Sequence, residues 1–178
     1  TAKTGSTSIQ HFLSQAQDDG TLGTVRYPLW GGEESQQRLI ELYRSWDELK
    51  PETRHHYASS EERFQRERRR YRRFVFKELG SADGAVISAE KLCSQTPQWV
   101  AKLRRDLESL GFQQFHVVMY VRDPADFYLS DTAQRLKSPA LPPYVKDPHS
   151  FRYGFLQSAQ TWEQVFPGRL SVRVLPVN

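Results

Sequence analysis

Eight residues at the start of the chain, Thr1-Ala2-Lys3-Thr4-Gly5-Ser6-Thr7-Ser8, combine a cation, a glycine and a run of hydroxyls. Behind them Ile9, Phe12, Leu13 and Ala16 recur at the spacing of one apolar helix face, so the hydroxyls fall at a helix N-terminus. The free N–H groups and partial positive charge there favour an anion, and small residues let the backbone close around it. Lys3 adds a point charge, and Thr7 or Ser8 a hydroxyl donor. The chemistry this suits is phosphate binding. It is not the usual nucleoside-triphosphate loop, in which a Lys follows the second Gly, because Lys3 precedes Gly5 here. The plainer reading is a cluster of N-capping hydroxyls.

A second constellation lies further on. Residues 115–122, Phe-His-Val-Val-Met-Tyr-Val-Arg, form an apolar, β-branched and aromatic run that reads as a buried strand. Asp123 and Pro124 end it and start a helix to about Lys137, with Ala125, Leu129, Ala133 and Leu136 expected on its inner side. Arg122 then stands at the carboxyl tip of a strand, where ligands of open α/β sheets bind, and Ser130 stands two turns into the helix. Arg122 can hold phosphate oxygens bidentately, or it can pair with Asp123 or Asp126.

The two segments together resemble the nucleotide motifs of sulfotransferases that use 3′-phosphoadenosine 5′-phosphosulfate (PAPS). Lys3-Thr4-Gly5-Ser6-Thr7-Ser8 is similar to their 5′-phosphosulfate loop, and Arg122 with Ser130, seven residues between them, to their 3′-phosphate motif. The resemblance implies that these eight residues bind PAPS as co-substrate, with no metal, and that Lys3 also neutralises charge on the leaving phosphate. It also implies a base at a neighbouring strand tip. There the sequence has Ile87-Ser88-Ala89-Glu90, where the cytosolic phenol-type enzymes carry Lys-Thr-His. Glu90 is the candidate base, with His149 in reserve, and a carbohydrate hydroxyl is the expected acceptor. Glu90 can instead pair with Lys91 or cap the next segment.

The competing chemistries are few. A P-loop kinase with an atypical cradle would need a Mg²⁺ carboxylate at a strand end, and only Glu90 or Asp123 offers one. A non-catalytic anion-binding module would work through residues 61–73, where seven Arg oppose three Glu. That local excess equals the net charge of the whole chain, +4, so the basic character is one helix and not a general nucleic-acid surface. The helix is either a solvated face or a site for an anionic glycan. No Cys/His cluster points to a metal. His116 starts its strand and reads as structural, His11 as exposed, and His55-His56 as part of a connector. Trp30, Tyr144, Phe151 and Tyr153 are aromatics that could border an acceptor.

These residues need a scaffold. At 178 residues and 38% apolar content, the chain is long enough for one domain with a real core. It has no apolar run long enough for a membrane helix. Its one cysteine, Cys93, excludes an internal disulfide and fits a reducing, cytoplasmic setting. Both ends read as cut: no strand precedes the loop at Thr1, and nothing follows the strand at Leu170–Val177. Between them the pattern predicts a strand at Thr24–Leu29 and a helix from Glu33 to Trp46, broken by Lys50-Pro51. An Arg-rich helix follows over Ser59–Leu79, with Phe64, Arg68, Tyr71 and Val75 inward, so that Arg68 needs a carboxylate or a ligand anion. Further on come a strand at Gly84–Glu90, a helix from Thr96-Pro97 to Leu110, a Pro-rich loop at 138–148, and a helix over Ser150–Phe166. Alternating strands and helices predict a three-layer α/β domain around a mostly parallel, P-loop-like sheet.

Overall fold

The computed structural model describes residues 6–137, 147–152 and 154–175, in which helices and short strands alternate. In chain order they are α1 (Ser6–Asp18), β1 (Val25–Arg26), α2 (Pro51–His56), α3 (Glu61–Gly80), β2 (Gly84–Ala85), α4 (Pro97–Ser109), β3 (Val117–Val121), α5 (Pro124–Lys137), α6 (Phe155–Val165) and β4 (Leu170–Val174). Two 3₁₀ segments, Gln37–Tyr43 and Glu90–Ser94, follow β1 and β2.

The class is mixed α/β. The strands form two parallel pairs, β1 with β2 and β3 with β4. In the first pair Val25 lies beside Gly84, and backbone bonds from Asp83 to Thr24 and from Val86 to Arg26 extend the ladder. In the second the register runs from Val117↔Leu170 to Val121↔Val174. No ladder joins the pairs among the described residues.

One apolar cluster ties the pairs together, drawing Leu39, Ile40, Tyr71, Val75, Val100, Leu103, Met119, Trp162 and Phe166 from most of the chain. Two indoles pin distant segments to it: Trp99 Nε1 donates to the Ile40 carbonyl (3.0 Å) and Trp162 Nε1 to that of Leu92 (3.2 Å). A buried indole must place its N–H, and these carbonyls take both.

The strongest caps produce the elements closest to expectation. Ser60 accepts from the Arg63 N–H and starts α3; Thr96 accepts from Trp99 and starts α4 behind Pro97. Phe64, Tyr71, Val75 and Leu79 face the core from α3 as their spacing requires. Arg68 shares that stripe; its Nη1 donates to the Arg44 carbonyl (2.8 Å) and its guanidinium lies over the Phe64 ring.

Elsewhere the structure corrects the reading. The helix expected over Glu33–Trp46 is only the 3₁₀ segment Gln37–Tyr43, because Gln36 is pinned at its start. Pro51 opens α2 instead of ending a helix, since its fixed φ suits a first helical position, so His55 and His56 are helical. The last helix starts at Phe155 because the Asp147 carbonyl and carboxylate fold residues 147–150 into a turn. On α1, Phe12 is 64% exposed and Ile9 also faces solvent; the buried side is Gln10 and Ala16. On α5 the supposed inner residues Leu129 and Leu136 are 63% and 59% exposed, with Ala125 and Ala133 exposed too. Larger rings take the inner face: Phe127 packs edge-on against Phe155, and Tyr128 against Phe151. Aromatics bury more area than Ala or Leu and so decide the rotation.

Candidate functional site

The first turn of α1 is fastened to the segment that continues β2. Ser6 Oγ donates to Glu90 Oε1 at 2.7 Å. One turn on, Gln10 Nε2 donates to Ser88 Oγ at 3.2 Å and reaches the Ser88 carbonyl at 3.4 Å. The geometry follows from elementary dimensions. Four helical residues rise about 6 Å, and two extended residues about 6.6 Å. Side chains at i and i+4 of a helix therefore match those at j and j+2 of a strand, and Ser6/Gln10 meet Ser88/Glu90 without distortion.

Gln36 secures the strand side of this contact. Its Nε2 donates to the Pro28 carbonyl (3.0 Å), its Oε1 accepts from the Ser88 N–H (2.7 Å), and its own N–H donates to the Ser88 carbonyl (3.1 Å). Gln36 and Gln10 are only 3% and 6% exposed. Sequence reasoning missed both glutamines. The available signal was Gln10 standing four residues after Ser6 on a helix whose remaining stripe is small or apolar.

Glu90 is half-buried and opens the 3₁₀ segment instead of ending a strand. Its bond to Ser6 uses Oε1, and among the described residues neither Lys91 nor a helix cap takes its place. The Cys93 thiol donates to the Glu90 carbonyl at 3.0 Å, and burial raises its pKa. Cys93 is thus a packed thiol, as expected, and helps hold the turn carrying Glu90. Thr7 and Ser8 are exposed on the first turn of α1. Lys3, Thr4 and Gly5 lie outside the described residues, as do Tyr144 and Tyr153.

The second constellation forms around α5. Arg122 immediately follows β3, as expected. Asp123 Oδ1 accepts from the N–H groups of Ala125 (2.8 Å) and Asp126 (3.3 Å), so the capping carboxylate is Asp123. Arg122 pairs with the other acid, Nε to Asp126 Oδ2 at 3.7 Å, with its side chain 37% exposed. The contact is long and engages Nε, not the terminal nitrogens of the fork. Ser130 is half-buried on α5, six residues beyond Pro124 and hence about 9 Å along the axis. Among the described residues no hydrogen bond joins Arg122 to Ser130, or either of them to Ser6 or Glu90.

The remaining candidates separate clearly. His11 Nδ1 contacts Glu34 Oε1 at 2.7 Å on the open side of α1. His149 sits in the turn organised by Asp147, and its carbonyl accepts from Arg152 (2.7 Å). Trp30 packs on Tyr71 and Phe74, ring centroids 5.6 and 5.0 Å away. Phe151 stacks edge-on with Tyr128. Among the described residues, no group of three or more His, Cys, Asp or Glu side chains is arranged to hold a metal ion, and no helix is long and apolar enough to cross a membrane.

No protein-family model, no curated protein and no solved structure matches the chain. The residues and their geometry therefore carry the functional reading.

Proposed function

We propose that the chain is a PAPS-dependent sulfotransferase domain that sulfates a hydroxyl, on a carbohydrate rather than a small phenol. In this reading the two parallel pairs are halves of one central sheet in a three-layer P-loop domain, and α1 presents its N-terminus to the 5′-phosphosulfate. The observation that carries the reading is the 2.7 Å contact between Ser6 and Glu90, which joins the loop that would bind the donor to the carboxylate that would activate the acceptor. The motif supplies the rest.

The reaction is an in-line displacement. The acceptor oxygen forms a bond to sulfur as the bond from sulfur to the 5′-phosphate oxygen breaks. The acceptor proton passes to Glu90, which retains Oε2 for the purpose while Oε1 holds Ser6. Lys3, with the hydroxyls of Thr4, Thr7 and Ser8 and the backbone at Gly5 and Ser6, balances the negative charge that moves onto the leaving phosphate. Arg122 and Ser130 hold the 3′-phosphate, for which Arg122 exchanges its long contact with Asp126.

Calorimetry with 3′,5′-adenosine bisphosphate against ADP, with and without Mg²⁺, tests this. The expected result is metal-independent preference for the bisphosphate, lost in Arg122→Ala. Mg²⁺-dependent preference for ADP would overturn it in favour of a kinase, and binding of neither nucleotide would overturn both.

A further inference from the structure

The outer face of α3 answers a question the nucleotide site leaves open. Arg66, Arg69, Arg70, Arg73 and Lys77 fall within one arc of the helix, opposite Phe64, Tyr71, Val75 and Leu79, which face the core. All five are exposed. Arg70 contacts Glu67 at 3.2 Å, but among the described residues Arg66, Arg69, Arg73 and Lys77 take part in no ion pair. The row runs about 17 Å along the axis. Like charges three and four residues apart destabilise a helix, so an unneutralised row is kept at a cost that a bound polyanion would remove.

Three features narrow the partner. The stripe is one helix wide, and the chain outside α3 carries no net charge, so the positive field is a line and not a broad surface. The neighbouring rings are already covered, Phe74 by Trp30 and Phe76 by the Arg72 guanidinium 4.3 Å above it, which leaves no platform for stacked bases. None of the exposed large apolar side chains lies on α3, so the face has nothing to insert into a bilayer. A narrow row of mostly Arg, whose planar forks fit carboxylate and sulfate oxygens, suits a single flexible acidic chain.

We propose that this face of α3 docks an acidic polysaccharide, one bearing sulfate or uronate groups along its length. The docking goes beyond the sulfotransferase reading and does not depend on it.

The test is binding of a fluorescent heparin oligosaccharide to the full chain between 50 and 200 mM NaCl, beside a DNA duplex and phosphatidylserine vesicles at equal anion concentration. The wild-type protein should bind heparin most tightly, with affinity falling steeply with salt. In Arg66→Gln/Arg69→Gln/Arg73→Gln the affinity should drop at least ~10-fold, with a flatter salt slope, since each phosphate-neutralising cation accounts for roughly 0.7–0.9 of such slopes on nucleic acids. The charge-matched control Lys50→Gln/Lys91→Gln/Lys102→Gln should weaken binding by less than about 2-fold. Should the triple variant melt early, Arg66→Gln and Arg73→Gln singly carry the test, each weaker by about 3-fold. Equal weakening in the control, unchanged affinity in the α3 variants, or tighter binding of DNA or vesicles would overturn the proposal. Bisphosphate binding, measured alongside, should be unchanged in every variant, so failure of the nucleotide site registers separately.

Discussion

Ser6 and Glu90 lie 84 residues apart in sequence and 2.7 Å apart in the fold. The contact sets the first turn of α1 against the turn that follows β2, and it makes the two sides of the candidate site separable by mutation. Glu90→Gln keeps a partner for the Ser6 hydroxyl but cannot take a proton. Under the sulfotransferase reading it should retain bisphosphate binding and lose ~10²–10⁴-fold in turnover. Ser6→Ala should cost about 1 kcal/mol in stability and far less in rate. Single-turnover sulfation assays beside calorimetry distinguish the two.

Arg122 and Asp126 give a second contrast. The pair is long and partly exposed, so Asp126→Asn should change stability by at most about 1 kcal/mol. It also releases Arg122, and bisphosphate affinity should hold or rise. Arg122→Ala should instead weaken binding roughly 10–100-fold, the worth of one charge-assisted phosphate contact. Equal affinity in the two variants would remove Arg122 from the site.

Gln36 joins three segments, since the Pro28 carbonyl and both backbone groups of Ser88 meet on it. Gln36→Leu fills the space but strands the Ser88 N–H and the Pro28 carbonyl. Unfolding in urea should show a loss of roughly 2–4 kcal/mol, with one such buried group costing about 1–3. The same variant should loosen the strand segment that supports Gln10 and Glu90, visible as faster amide exchange at Ser88.

Alkaline pH should unfold the protein. Burial is the leading cause that raises the phenol pKa values of Tyr27, Tyr43, Tyr57 and Tyr71, and in Tyr43 and Tyr57 the hydrogen bonds to Asp106 and Glu41 add to it. The folded protein then holds these protons more tightly than the unfolded chain, whose tyrosines titrate near 10. Their contribution is complete below that pH and is lost as pH climbs above it. Far-ultraviolet dichroism and tyrosinate absorbance should change together above about pH 10, and Tyr43→Phe should make the alkaline loss less steep. Tyrosinate absorbance exceeding that of the other four of the eight tyrosines well before the fold is lost would contradict this.

Much of the helical framework was legible because it is written in local chemistry. Thr96 before α4 and Asp123 before α5 are side chains that satisfy helix N–H groups on the spot, and with the prolines behind them each marks its boundary within a residue or two. Rotation of a helix is different. The spacing of Leu129 and Leu136 names a stripe on α5 but not what lies opposite it, and Phe127 and Tyr128 found partners in Phe155 and Phe151 that spacing cannot display. Arg68 was rightly placed on an inner face, yet its partner, a carbonyl of the Arg44 segment, leaves no trace in side-chain type. At the candidate site, the resemblance points to Glu90 and Arg122, whereas the amide supports at Gln10 and Gln36 depend on contacts across dozens of residues.

The two parallel strand pairs also bear on how the chain reaches this state. Val25 meets Gly84, and Val117 meets Leu170, so each pairing closes a loop of more than fifty residues, and neither loop encloses the other. Closing so long a segment costs entropy before any ladder bond repays it, which makes parallel pairing slow. The segment between the two loops is bonded to both, since Trp99 reaches Ile40 in the first and Leu92 receives Trp162 from the second. Two long closures that are not nested, feeding one shared core, predict refolding slower than helix–helix contacts alone would give.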